Sequence, residues 1–474
     1  MAELLRPDIC VIGAGSGGLS AAAAAAAFGV PVVLIERGRM GGDCLNTGCV
    51  PSKALIAAAR RAHTLTEAAT FGVHTRRLTV EFGQVHDHIQ SVIAAIAPND
   101  SAPRFTGLGV QVIQGVARFT DPQTVAVGTD ITINARRFVI ATGSAPVIPL
   151  IHGLAEAPYF TNETIFDLTV RPEHLIVIGA GPIGLELAQA FRRLGSTVTV
   201  VDADAPLAHE DPECVSIVLN QLMREEISIR RGTATGVTAA PYKVGVVLGA
   251  ADGEQTIEGS HLLVAAGRRP NVEGLGLEAA GIAYKAQGIV VNKGLRTTNK
   301  RVYAIGDVAG GPQFTHVANY HAGLVMRNAL FRLPVRVDHD RVPRVTFTDP
   351  ELAHVGITEA AAGRRGHAIR VLRWPFHEND RAQAEHMTHG HVKVITSKRG
   401  RILGATIVGA GAGELITPWT LAIAQNLNIR AFAGIVMPYP TLSETGKRAA
   451  TTYFTPSLTS SWVRRIIALL RRFG

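Results

Sequence analysis

Apolar residues run without interruption through residues 8–12, which reads as a buried strand. The glycine turn Gly13-Ala14-Gly15-Ser16-Gly17-Gly18 follows, then an alanine-rich helix at 19–28. A second apolar strand at 32–35 ends on Glu36. The same order returns further on: a strand at 175–178, the turn Gly179-Ala180-Gly181-Pro182-Ile183-Gly184, a helix at 185–194, and a strand at 197–201 ending on Asp202. Between the two units, residues 137–144 read as a strand entering a small-residue turn at Thr142-Gly143. Residues 262–267 repeat that pattern and end on Gly267. A third apolar run meets Gly306-Asp307 ahead of a helix carrying residues 316–330. Prolines and charges cluster at 333–343 and mark a boundary. Beyond it, strands at 345–347, 391–395 and 402–408 and a helix at 413–425 predict an α+β unit without a glycine-rich turn. The α/β alternation of the first two-thirds predicts parallel sheets covered by helices.

The glycine turns carry the first chemistry. Between a strand and a helix, their glycines give a tight turn, close approach to a pyrophosphate and close helix packing. An acid at the end of the second strand accepts hydrogen bonds from a ribose diol. Gly13, Gly15, Gly18 and Glu36 thus predict one dinucleotide site, and Gly179, Gly181, Gly184 and Asp202 a second. Two such sites in one chain suggest electron traffic between two cofactors. Asp202 favours a free 2′-hydroxyl, hence NADH over NADPH, although NADPH stays open. Asp307 can aim a carboxylate at a ribityl hydroxyl. The plainer reading makes it the cap of the following helix.

The stretch Gly41-Gly42-Asp43-Cys44-Leu45-Asn46-Thr47-Gly48-Cys49-Val50-Pro51-Ser52-Lys53 runs into an alanine-rich helix at 54–62. A helix N-terminus stabilises a thiolate and lowers a cysteine pKa from its usual value of about 8.5. Two cysteines this close also form a disulfide when their Cα atoms come within about 7 Å. An isolated pair would read as small apolar filler; the flanking loop points to redox chemistry.

The chain has 474 residues, enough for about three domains. Hydrophobic content of 47% supports packed cores, and 18% charged residues excludes a disordered chain. A net charge of +9 permits attraction to anionic cofactors or membrane surfaces. Aromatics at 5%, with no basic–aromatic interleaving, argue against nucleic acid. Four cysteines, Cys10, Cys44, Cys49 and Cys214, do not make a secreted disulfide framework, so a cytoplasmic location is expected. A glycine turn already at Gly13 leaves no room for a signal peptide. The apolar stretch 19–35 is short and broken by Gly29 and Pro31, which argues against a membrane span.

With these motifs together, the sequence resembles the class I pyridine nucleotide–disulfide oxidoreductases, the group of dihydrolipoyl dehydrogenase, glutathione reductase and mercuric reductase. The resemblance covers essentially the whole chain. It implies two Rossmann-like domains, for FAD (1–150 and 266–335) and NAD(P) (151–265), and a C-terminal α+β dimerisation domain (340–474). It implies a homodimer whose active sites take C-terminal acid–base residues from the other subunit. FAD would lie on Gly13, Gly15, Gly18, Glu36 and Asp307, with Gly42, Thr142, Gly143 and Gly267 as further cofactor contacts. Carried over by position, Cys49 is the thiol beside the flavin and Cys44 the interchange thiol. Lys53 sits near the flavin edge with Glu186 as its partner, and Tyr439 and Glu444 are the C-terminal pair.

Departures from the family pattern narrow the function. In Pro438-Tyr439-Pro440-Thr441-Leu442-Ser443-Glu444, Tyr439 stands where disulfide reductases carry histidine. A phenol with pKa near 10 is a poor base at neutral pH, whereas imidazole sits near 6.5. Ordinary dihydrolipoyl dehydrogenase turnover is therefore not expected. Mercuric reductases do carry tyrosine there, and Glu210-Asp211-Pro212 is similar to theirs. They also deliver metal from a C-terminal cysteine pair, whereas this sequence closes on Leu470-Arg471-Arg472-Phe473-Gly474, so sustained mercuric reduction is not expected either. Asp43 replaces the usual threonine before Cys44, and a carboxylate there should disfavour the Cys44 thiolate. The expectation is an FAD enzyme passing electrons from NAD(P)H to Cys44–Cys49 and on to an unknown disulfide, thiol-bound metal or other acceptor. The alternatives are dihydrolipoyl dehydrogenase, a flavin-only quinone or dye reductase, and a non-catalytic redox-sensing partner of a membrane protein.

Two lesser features remain. Residues 461–473 predict an amphipathic helix, with Trp462, Val463, Ile466, Ile467, Leu470 and Phe473 on one face and Arg464, Arg465, Arg471 and Arg472 opposite. Packing onto its own dimer is the favoured expectation; docking on an anionic membrane or a membrane partner is the alternative. His386, His389 and His391, with Arg381 and Glu385 upstream, lack regular ligand spacing and read as a solvated hairpin, so no metal site is expected.

Overall fold

The apolar runs around residues 10 and 34 become neighbours in a five-stranded parallel sheet. Its order is Val302–Ala304, Arg137–Ile140, Ile9–Ile12, Val32–Glu36, Val110–Gln114. Strands covered on both faces must be apolar throughout, and the middle ones are fully buried. The structure is a computed structural model that describes residues 3–74, 78–250, 253–458 and 460–473. It divides into two units, Met1–Asp204 with Ile227–Val337, and Ala205–Glu226 with Asp338–Gly474.

In the first unit, the helices Ser16–Ala27 and Thr315–Phe331 cover one face of this sheet. Their small residues allow close approach: a Cβ on Gly17 would lie 3.1 Å from that of Ala318. Phe119, Val125 and Ile133 cover the other face, from a four-stranded sheet built on Glu3–Leu5, Ala117–Asp121, Thr124–Val127 and Ile131–Asn134. The second glycine turn lies in its own parallel sheet, ordered Ser228–Arg231, Thr197–Asp202, His174–Ile178, His261–Val264. A three-stranded antiparallel sheet, Thr233–Ala240, Lys243–Ala250 and Gly253–Gly259, intervenes before the last of these. The helices expected at 19–28 and 185–194 begin earlier, at Ser16 and Pro182, because the last glycine of each turn is already helical.

In the second unit, a five-stranded antiparallel sheet runs Arg344–Thr346, Glu351–Gly356, Ile402–Gly409, His391–Ser397, Ile369–Pro375. Trp419 and Phe432 stack at 3.8 Å in its core. The helix expected at 413–425 forms as two pieces, Ala412–Leu415 and Thr417–Ala424, because Pro418 opens a new helix. Residues 205–226, read from sequence as part of 151–265, group with this unit. Asp211 caps the helix Pro212–Arg224, and the buried Lys393 ammonium binds Asp211 at 2.7 Å, Glu213 at 2.9 Å and Glu359 at 2.8 Å. The motif Glu210-Asp211-Pro212 thus has a structural job. His391 and His389 are engaged here too, with Cys214 (3.5 Å) and Arg224 (3.0 Å).

Candidate active site

Each glycine turn is set by its backbone. Gly13 and Gly179 adopt φ of 102° and 115°, a region that side chains disfavour. A Cβ on Gly18 would fall 1.8 Å from the Gly13 carbonyl oxygen, and one on Gly184 1.9 Å from that of Gly179. Only glycine lets these helices sit so close to their strands. Gly15 and Gly181 face open space, and no side chain caps either helix. Helix N-termini opened in this way suit a pyrophosphate. The acids match as well. Glu36 accepts from Ala14 N at 2.6 Å and Gly38 N at 2.7 Å, while Asp202 accepts from Ala180 N at 2.6 Å and Asp204 N at 2.9 Å. The donor sets fit two dinucleotides.

The cysteine loop docks on the first turn. Gly41 N donates to Ala14 O at 3.0 Å, and a Cβ on Gly42 would lie 2.7 Å from the Gly15 Cα. Cys44 lies in the helix Gly42–Asn46, and Cys49 opens the helix Cys49–Glu67, which starts ahead of the predicted 54–62. Both are free thiols. Cys49 Sγ is 3.3 Å from Thr315 Oγ1 at the start of the helix Thr315–Phe331. The Cys49 pKa is lowered to about 6, first by the hydrogen bond from Cys44, then by Thr315 and the Lys53 charge, against the opposing effect of burial. Cys44 is pushed up, because its proton is held in the hydrogen bond to Cys49 and burial adds to this. The pair is thus polarised, with negative charge favoured on Cys49 and the proton on Cys44. Sequence reasoning missed Thr315, since nothing local ties it to the cysteines.

Behind Cys44 lies a polar network. Asp43 Oδ2 is 3.2 Å from Arg268 Nη2, and Asp43 Oδ1 accepts from Thr47 Oγ1 at 2.7 Å and Asn162 Nδ2 at 3.1 Å. Arg268 also donates to Ser144 Oγ at 2.8 Å, and that hydroxyl donates to Asp307 Oδ2 at 2.5 Å. Burial raises the Asp307 pKa, against the Ser144 hydrogen bond. Asp307 sits in the turn Gly306–Ala309, and Phe314 is the N-cap of the next helix, so the capping role read as an alternative does not hold. Thr142 and Asn271 exchange hydrogen bonds of 2.8 and 2.9 Å, fixing the turn at Gly143. Gly143 and Gly267 have φ of 69° and 116° with open space at their Cβ positions.

Lys53 Nζ is 2.8 Å from Glu186 Oε2, which joins the cysteine helix to Pro182–Arg193. Glu186 is 7% exposed, so it is not a solvated surface charge. In the second unit, Tyr439 Oη donates to Asp380 Oδ2 at 2.6 Å, a bond that raises the phenol pKa further. Glu444 pairs with Arg448 at 2.8 Å.

Two dinucleotide turns and a polarised cysteine pair define a two-cofactor redox protein. The chain belongs to the pyridine nucleotide-disulphide oxidoreductase family: the family profile matches residues 7–322, and that of its dimerisation domain matches residues 342–450. It is 37% identical to a mercuric reductase of Streptomyces lividans, over 94% of this chain and 96% of that one. It is 35% identical to a dihydrolipoyl dehydrogenase of Bacillus subtilis (strain 168), with the same coverage. Its fold is similar to the HOCl-induced flavoprotein disulfide reductase RclA from Escherichia coli (TM-score 0.84, 27% identity, 94% of this chain and 99% of that chain). It is also similar to LpdA from Mycobacterium tuberculosis (TM-score 0.86, 29% identity, the same coverage). The protein is an FAD-dependent oxidoreductase that uses NAD(P)H and acts on sulfur groups, and its dimerisation domain supports a homodimer.

Proposed function

We propose that this enzyme takes two electrons from NADH, stores them on the Cys44–Cys49 pair and delivers them to a soft metal ion held by thiol sulfur. The observation that carries this reading is the asymmetry of the pair: Cys49 opens the helix Cys49–Glu67 with its sulfur 3.3 Å from Thr315 Oγ1, a setting that lowers its pKa, while Cys44, in the helix Gly42–Asn46 beside Asp43, is pushed up. Bound FAD would supply the two-electron relay between nicotinamide and sulfur. Gly13, Gly15, Gly18 and Glu36 would hold its nucleotide end, with Asp307 at the ribityl chain and Gly42, Thr142, Gly143 and Gly267 lining the approach. Gly179, Gly181, Gly184 and Asp202 would hold NADH. Asp202 suits a ribose diol, and Arg231, which strand pairing sets beside it, is the residue a 2′-phosphate would need.

In the charging step, the hydride equivalent of NADH reduces the Cys44–Cys49 disulfide, giving NAD⁺, the Cys44 thiol and the Cys49 thiolate. The Thr315 hydroxyl, the helix N-terminus and Lys53 stabilise the negative charge on Cys49. Glu186 holds the Lys53 ammonium in place. Tyr439 and Glu444 of the partner subunit would complete each site. A phenol that stays protonated is a weak base for thiol–disulfide exchange, which favours a metal ion over an organic disulfide.

The test is an anaerobic NADH titration of the FAD-loaded protein followed by absorbance, then turnover with Hg(II) held by an added small-molecule thiol, in place of a C-terminal cysteine pair, against lipoamide. A long-wavelength thiolate–flavin band at two-electron reduction, absent from Cys49→Ser, together with turnover of the metal complexes, supports the reading. Fast lipoamide turnover would make the enzyme a dihydrolipoyl dehydrogenase instead. Full acceptor turnover in a Cys44→Ser, Cys49→Ser variant would make it a flavin-only quinone or dye reductase.

A further inference from the structure

The helix Ser461–Leu470 separates its residues cleanly by chemistry. At 100° per residue, Trp462, Ile466, Leu469, Leu470 and Phe473 fall on one side, with Val463 and Ile467 at its edge. Arg464, Arg465, Arg471 and Arg472 fall on the other. The apolar side faces solvent: Trp462 is 69% exposed, Leu470 61% and Phe473 81%, and no residue of the helix is buried. Backbone hydrogen bonds from Arg472 N to Leu469 O and Phe473 N to Leu470 O continue the turn past the helix end. An aromatic-rich apolar face this exposed needs a cover.

The surrounding charge indicates which cover. Residues 445–474 contain no aspartate or glutamate, while Lys447, Arg448 and the four arginines of the helix region are all cationic. The family's dimerisation domain matches residues 342–450 and ends ahead of this helix. The helix thus lies outside the segment that the dimerisation-domain profile matches. Among the described residues, no helix is long and apolar enough to cross a membrane. A short helix with tryptophan and leucine on one face and arginine as the only charge on the other suits the boundary between lipid headgroups and acyl chains.

We propose that residues 461–473 dock the enzyme on an anionic lipid surface. The apolar face enters the headgroup boundary, and Arg464, Arg465, Arg471 and Arg472 bind lipid phosphates. The occupant is lipid rather than a second copy of the chain, because a second helix packed apolar face to apolar face would leave the arginines without anionic partners, whereas lipid phosphates supply them.

The experiment uses the FAD-loaded full chain. It is sedimented with phosphatidylcholine vesicles containing phosphatidylglycerol and with vesicles of phosphatidylcholine alone, while tryptophan emission is recorded. Binding to the anionic vesicles only, with a blue shift from Trp462 and weakening as salt rises, is the expected result. Each arginine replaced by glutamine should lower the partition roughly fivefold. Trp462→Ser with Leu470→Ser should abolish the binding while NADH oxidation stays unchanged. These positions are exposed, so the variants keep the fold. Failure of the unaltered protein to bind anionic vesicles would overturn the proposal, as would binding that both sets of variants retain. If the Trp462→Ser, Leu470→Ser variant instead loses its dimer by light scattering, and no vesicle binding occurs, the face belongs to a second copy.

Discussion

Asp43 and Arg268 form an ion pair, Oδ2 to Nη2 at 3.2 Å, directly behind the cysteine loop. The Asp43 carboxylate acts against thiolate at Cys44, as expected from sequence, and also at Cys49, where the hydrogen bond from Cys44, Thr315 and Lys53 outweigh it. The guanidinium, 11% exposed, ties that charge to Ser144 and through it to Asp307. Asp43 is therefore a positioning residue that also restrains thiolate formation. Asp43→Asn keeps the hydrogen bonds to Thr47 and Asn162 and removes the charge. The reduced protein should then react with iodoacetamide faster just below pH 6, because the thiolate fraction rises. An unchanged pH profile would show that Arg268 already cancels the carboxylate.

The Lys53–Glu186 pair makes a separate prediction. Glu186 is buried and its partner is 37% exposed, so the acid acts by holding the ammonium in one place. Glu186→Gln keeps a hydrogen-bond acceptor without the charge. Reduction of the flavin by NADH, followed by stopped flow, should slow by about tenfold, with FAD content unchanged. Loss of FAD in place of slower reduction would show a structural role only.

The parts of this site that were legible in sequence are those carried by contiguous residues. The two glycine turns, Glu36, Asp202 and the cysteine loop each sit in a string whose chemistry is local. Lys53 and Glu186 were paired only through family resemblance, and the 2.8 Å contact brings them together. Thr315, Asn162, Ser144 and Arg268 were not legible. They reach the cysteine loop through sheet and turn packing from sites more than 90 residues away in the chain. No local pattern marks a threonine that meets a thiolate across such a separation. The strand Glu351–Gly356 was missed because buried Glu351 and His354 interrupt its apolar run, and Ile369–Pro375 because its half-buried, mixed composition hides the alternation that marks a strand.

Lys393 has a side chain 4% exposed and lies within 2.9 Å of Asp211, Glu213 and Glu359. Burial would lower its pKa, but hydrogen bonds to the three acids hold it raised. Lys393→Met leaves buried Asp211 without its cation and should cost about 3 kcal/mol. Urea denaturation of the variant would check this. A loss under about 1 kcal/mol would mean that the carboxylates relax into water.

Acid should weaken the second unit in two successive windows. Burial lowers the His354 pKa from 6.5 to about 4, so the unfolded chain takes up this proton first. Stability therefore falls as pH drops from about 6.5 to about 4, by at most about 1.4 kcal/mol per pH unit. Glu213 is lowered from 4.5 to about 2, first by the Arg373 hydrogen bond, with burial opposing and Lys393 adding. Its contribution is complete above pH 4.5 and disappears as pH falls through about 2. Denaturation midpoints measured against pH should show both windows, and His354→Gln should shrink only the upper one, to which His339 and His391, also lowered by burial, contribute.

The last prediction concerns Tyr439, which donates to Asp380 at 2.6 Å and is held protonated by that bond. A phenol fixed as a donor cannot take a proton from an attacking thiol at neutral pH, whereas an imidazole with pKa near 6.5 can. Glu444 lies five residues on, at the start of the helix Glu444–Thr451, where it pairs with Arg448 at 2.8 Å and stands ready to orient a histidine ring. Tyr439→His should therefore raise lipoamide reduction by about 100-fold. Tyr439→Phe should leave that slow activity within about twofold, because the phenol proton was never in play. Turnover of the metal–thiol complexes should survive Tyr439→His. If both variants are equally slow with lipoamide, the missing imidazole is not what separates this enzyme from its dithiol-exchanging relatives. The restraint would then lie with Asp43 and the protonated Cys44.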